Sequence, residues 1–117
     1  MSGVEVNDFT TPDEVRTPAR TTIEIAKIGN GEVGRYTFEP GWRWSECIKP
    51  IVGTESCQVE HIGYVVAGSM HIDHAEGSAD ITEGDVYRIP PGHDAHVVGD
   101  VPVTVVEFQG ASTFARG

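Results

Sequence analysis

The stretch GDVYRIPPGHDAHVVGD, residues 84–100, decides how this chain is read. It opens on a Gly-Asp turn and runs through strand-type residues 85–89. It breaks at Pro90-Pro91-Gly92, because proline cannot donate to a sheet ladder and glycine takes up turn conformations. It then resumes as a second short strand over 95–98, with His93 just ahead of it and His96 within it; three apart, the two would point to opposite faces of an ideal strand. Working outward, the same rhythm repeats. Upstream lie a β block over 55–67, Gly68, a strand over 69–74, the turn Glu76-Gly77, residues 79–82 and the turn Glu83-Gly84. Downstream lies a strand over 103–108. Nearer the start, residues 22–28 and 32–38 flank Asn30-Gly31, the strongest short hairpin signal in the chain. Pro40-Gly41 then leads into Trp42-Arg43-Trp44, and residues 45–54 are irregular, with Pro50 and Gly53 as breakers. No helical period exceeds two turns. Short strands with frequent turns are the pattern of an all-β sandwich or barrel.

Residues 1–20 are rich in Thr, Pro and charge, and read as an extended arm ahead of a barrel over 21–117. The arm holds the apolar residues Val4, Val6, Phe9 and Val15, and a short helical turn fits at residues 11–14. The chain has 117 residues, enough for one domain that buries about two thirds of its unfolded surface. Its net charge of -10 leaves no basic stripe for nucleic acid and disfavours an anionic membrane surface. No apolar run reaches the roughly 20 residues of a membrane span, and the N-terminus has no signal-peptide core, so a cytoplasmic protein is expected. In that compartment Cys47 and Cys57 are free thiols or ligands, with a bridge between them the alternative.

The segment from His61 to Gly92 resembles the cupin superfamily. Gly84-Asp85 followed by Pro90-Pro91-Gly92 and a nearby histidine is similar to the second cupin motif, and HIGYVVAGSM, residues 61–70, to the end of the first. The resemblance covers roughly residues 34–108. It implies a double-stranded β-helix barrel of the jelly-roll type, and one divalent transition metal (iron, zinc, manganese or nickel) in its mouth. It also implies a homodimer, to which the apolar arm would contribute.

Counting back from Gly68 places Glu55, Cys57 and His61 at the ligand positions of the first motif. All three are ligand types. Their spacing of two and four keeps them on one side of a strand, so one strand is expected to present all three to a common interior point. The second motif departs from the pattern, because its histidine position holds Ala95. His93 stands two residues early and His96 one late. Either His96 turns inward through a bulge or His93 reaches in from the loop. His71 and His74, near a hairpin tip, are expected in solvent.

The aromatic stretch offers a pocket, with one tryptophan lining it, the other closing the core, and Arg43 receiving a substrate carboxylate. Tyr64 is the expected acid or hydrogen-bond donor, Tyr36 and Tyr87 being the other tyrosines able to face inward. No G-x-S-x-G elbow, phosphate-cradling loop or C-x-x-C competes. The expected function is a metal-dependent enzyme of oxygenase, isomerase or lyase type acting on a small molecule. The alternative is a metal-free cupin that binds or senses a small ligand.

Overall fold

A computed structural model describes residues 3–110, 114 and 115. Among these described residues, nine strands form two antiparallel sheets. In chain order they are β1 (Glu14–Arg16), β2 (Thr21–Ile28), β3 (Gly31–Phe38), β4 (His61–Ala67), β5 (Ser69–Asp73), β6 (Ala79–Thr82), β7 (Val86–Ile89), β8 (Asp94–Val98) and β9 (Val103–Gln109). The large sheet has the order β1-β2-β3-β9-β4-β7, and the small sheet β6-β5-β8. Alternation sets which residues face the space between them. Met70 and Ile72 of β5, Ile81 of β6, and Ala95 and Val97 of β8 meet Ile23, Val65 and Val105 of the large sheet in one apolar cluster. Each such aliphatic chain contributes about 1.5–3 kcal/mol by leaving water.

Several local expectations shift. The hairpin between β2 and β3 forms, but Ile28 pairs with Gly31, so its two-residue loop is Gly29-Asn30. Gly29 supplies the positive φ, 56°, that the first loop position favours. The helical turn expected at residues 11–14 is replaced by an edge strand, since Glu14, Val15 and Arg16 pair with Ile25, Glu24 and Ile23. The residues before it are tied to the edge of β2, where the Asn7 side-chain amide donates to the Lys27 carbonyl. The irregular segment holds two single helical turns, α1 (Trp44–Cys47) and α2 (Lys49–Val52), with Gly53 closing the second at φ 77°.

The strand expected over 55–67 begins only at His61. Residues 55–60 precede it as loop, and Cys57 there makes a single bridge to His93. Both cysteines are free. No helix among the described residues is long and apolar enough to cross a membrane.

Candidate metal centre

Cys57, His61 and His93 meet inside the barrel. One ligand atom from each lies within 4.8 Å of the others, and all three side chains are buried. They arrive from different places. His61 is the first residue of β4. Cys57 and His93 face each other in the isolated bridge, with the Cys57 amide donating to the His93 carbonyl at 2.8 Å and Gly92 donating back to the Cys57 carbonyl at 2.7 Å. The Pro-Pro-Gly corner is thus clamped onto the loop that carries the thiol.

Both imidazoles are oriented through Nδ1. His93 Nδ1 lies 2.7 Å from the Pro90 carbonyl oxygen, which can only accept, so Nδ1 carries the proton. His61 Nδ1 donates to Glu107 Oε1 at 2.5 Å. The His61 Nε2 edge faces Cys57 Sγ at 3.7 Å. A histidine whose outer nitrogen is held by a carboxylate or a carbonyl is the usual arrangement for a metal-binding imidazole. Two nitrogens and a thiolate fit a borderline-soft divalent metal, with nothing in the set that favours a hard cation.

Glu107 is itself held. Tyr87 donates to its Oε2 at 2.6 Å. Gly63 makes that reach possible, because it pairs with Tyr87 on one side and with Glu107 on the other. A Cβ there would stand 2.7 Å from the Tyr87 hydroxyl and 2.5 Å from the Val106 carbonyl oxygen. The row Tyr87–Gly63–Glu107 across three strands therefore needs a glycine at its centre.

The electrostatics follow from these contacts. Burial alone would push the Cys57 thiol up, but hydrogen bonds from His61 and His93 outweigh it and lower the thiol to about 6. Burial would lower His61, but the charge of Glu107 and the Cys57 contact raise it to about 9. Burial, with Glu107 adding to it, pushes Tyr36 and Tyr87 far above the ordinary phenol range, so both stay neutral donors.

The other expected site residues lie elsewhere. Glu55 is outside the cluster, 96% exposed and 3.2 Å from Lys49, because the chain has not yet entered β4 at that point. His96 is off the cavity for a reason of parity. Ala95 and Val97 are the buried positions of β8, and His96 between them points to the outer face, where it pairs with His71 in a regular register with no bulge. His93 stands two residues before Ala95, one full strand repeat, and so shares its inward face. Tyr64 is on the outer face of β4, 41% exposed. Arg43 points away between two buried tryptophans, and its guanidinium meets Glu46 at 3.7 Å. Both Trp42 and Trp44 line the cavity. Glu107 and Gly63 were not singled out by sequence reasoning. A lone acid in the apolar run VTVVEFQ was the available signal for Glu107.

No protein-family model and no curated protein matches the chain. Solved structures do. A sugar phosphate isomerase of the cupin superfamily from Silicibacter pomeroyi matches with TM-score 0.61 and 14% identity, over 88% of this chain and 73% of that one. The polyketide cyclase RemF from Streptomyces resistomycificus matches with TM-score 0.61 and 16% identity, over 90% and 78%. KdgF from Halomonas sp. matches with TM-score 0.57 and 16% identity, over 83% and 87%. The chain has the cupin fold.

Proposed function

We propose that this chain is an enzyme acting on a small molecule around a single divalent transition metal held by Cys57, His61 and His93. The observation that carries the reading is the tethering of both histidines. Each Nδ1 is committed as a donor, to Glu107 and to the Pro90 carbonyl, so each Nε2 is left to converge with Cys57 Sγ. When bound, the metal would supply Lewis-acid polarisation of a substrate oxygen. The chain's own groups do the rest. Glu107 orients His61, Tyr87 holds Glu107, and the apolar wall excludes water, which strengthens every electrostatic contact inside. Tyr36 and Tyr87 stay protonated, and no lysine or arginine among the described residues lines the cavity, so the two phenols act as donors that position a substrate. Isomerase and lyase chemistry can begin from a polarised substrate oxygen of this kind, whereas oxygenase chemistry would need a redox metal such as iron in the same site.

Elemental analysis of untagged protein beside His61→Ala tests the reading. About one iron, zinc, manganese or nickel per chain, lost in the variant while the barrel stays folded, is expected. Stoichiometric metal retained in His61→Ala would sink it.

A second reading has its own observation. Cys57, His61 and Glu107 form a thiol–imidazole–carboxylate chain at 3.7 and 2.5 Å, an arrangement that activates a sulfur nucleophile without any metal. It predicts no metal after reconstitution, and rapid alkylation of Cys57 by iodoacetamide at neutral pH, with iodide leaving as the S–C bond forms.

A further inference from the structure

Two donors of the cavity lining have nothing to donate to. Trp42 and Trp44 are at most 2% exposed and both line the cavity. Among the described residues, neither indole N–H has an acceptor. The Tyr36 hydroxyl, also in the lining, already has Glu107 beside it. Buried polar atoms are nearly always paired in folded proteins, so two orphans in one lining mark a place for an acceptor.

Charge limits what that acceptor can be. Glu107 already has His61 as its partner, and no lysine or arginine among the described residues of the lining is left to pair with a ligand anion. A carboxylate ligand would enter an apolar space with no cation of its own, at high cost. A neutral carbonyl oxygen avoids that cost and still accepts.

Shape limits it further. Phe114 occupies the aromatic slot from within the chain. Its ring stacks on Tyr36 at 5.0 Å and 16°, and stands edge-on to Phe38 and His61. It is held there by its amide donating to Gly110 and its carbonyl accepting from Arg16. With Phe114 in place the cavity volume is about 30 Å³, room for about two waters. Phe114 has no polar atom on its ring, so it fills the slot and leaves the donors unpaired.

We propose that the cavity binds a small, neutral, flat unsaturated carbonyl compound about one ring in size, whose ring displaces Phe114 from Tyr36 and whose oxygen is the acceptor for the unpaired donors of that lining. This rests on the reading of the cavity as the ligand site and is independent of whether a metal is bound.

The test uses acetophenone as the probe, with three relatives that each remove one feature. Ethylbenzene lacks the acceptor, cyclohexyl methyl ketone lacks the flat ring, and benzoate adds the charge. Affinities are measured by calorimetry on the protein as purified, on chelator-treated protein, and on Phe114→Ala and Trp42→Phe, with a melting curve for each variant. Acetophenone is expected to bind about ten-fold or more tighter than each relative. Phe114→Ala should tighten it by a similar factor, and Trp42→Phe should loosen it several-fold while leaving ethylbenzene unchanged. Equal or tighter binding of benzoate or ethylbenzene overturns the inference, as does a Phe114→Ala variant with unchanged or weaker affinity for acetophenone. If Trp42→Phe fails to fold, the Phe114→Ala comparison still decides. Acetophenone binding in a protein that never takes up metal defeats the metal reading alone. Stoichiometric metal with no acetophenone binding to Phe114→Ala defeats this inference alone.

Discussion

Two pairs of histidine rings lie at nearly the same separation, 5.2 Å for His61–His93 and 5.3 Å for His71–His96. One pair is inside the barrel and one is on the outer face of the small sheet, and their chemistry differs because their surroundings do. The inner pair is buried, each ring pinned through one nitrogen and facing a thiol. The outer pair is only half-buried, although the His96 Nδ1 atom itself is covered and has no partner among the described residues. His71 spends both nitrogens on surface carboxylates, Asp80 at 2.6 Å and Asp73 at 3.0 Å, and exposed pairs of this kind contribute little. Proximity of two imidazoles is therefore not what marks a site. Exclusion of water, fixed tautomers and a third donor are.

The largest break in that contrast should come from the inner donors. Cys57→Ser, His61→Ala and His93→Ala are each expected to weaken metal binding by more than the roughly 100-fold that loss of an outer partner can cause. His71→Ala and His96→Ala should leave it unchanged, by metal content and competition with a chelating dye. Loss of metal in the outer variants alone would reverse the comparison.

Glu107→Gln comes next, because it keeps the shape and removes the charge that orients His61. A drop of about 10–100-fold in metal affinity is expected, with the barrel still folded. An unchanged affinity would show that His61 needs no carboxylate behind it.

Acidity sharpens the contrast by a smaller factor. A metal takes the thiolate and the unprotonated imidazole. Above about 6 Cys57 is already a thiolate, while His61 keeps its proton up to about 9. Between those values binding must expel one proton, so affinity should rise about ten-fold per pH unit, and level off above 9. Calorimetry in buffers of different ionisation heat would count that proton, and a flat profile would contradict the pairing.

The smallest effect belongs to the outer pair. The hydrogen bond to Asp80 is the largest cause raising His71 above its ordinary value. Its stabilising contribution is therefore complete below the unfolded value of about 6.5, and fades as pH rises through the raised one. His71→Gln should remove a slight fall in melting temperature between pH 6 and 8 without touching metal content.

Much of this was legible along the chain. The turn spacing indicated short antiparallel strands, and the motif register pointed to Cys57 and His61. Parity also contained the answer for the second motif, since two residues is a full strand repeat and one is half of it. His93 therefore keeps the inward face of Ala95 while His96 loses it. Glu55 lies apart from Cys57 and His61 because a spacing of two aligns side chains only within a strand, and β4 starts six residues later. Tyr64 and Arg43 stand off the cavity because each alternates with buried neighbours.

The sequence by itself determined the alternation of faces, the turns and the residue types able to hold a metal, because these depend on neighbours one to four positions apart. Only the tertiary structure decided that Cys57 bridges His93, that Tyr87 reaches Glu107 over Gly63, that Glu107 stands behind His61 from 46 residues away, and that Phe114 fills the aromatic slot. Those contacts depend on which strands pair and in what register. Register is settled by burying one apolar cluster between two sheets as a whole, a condition that no short stretch of the chain contains.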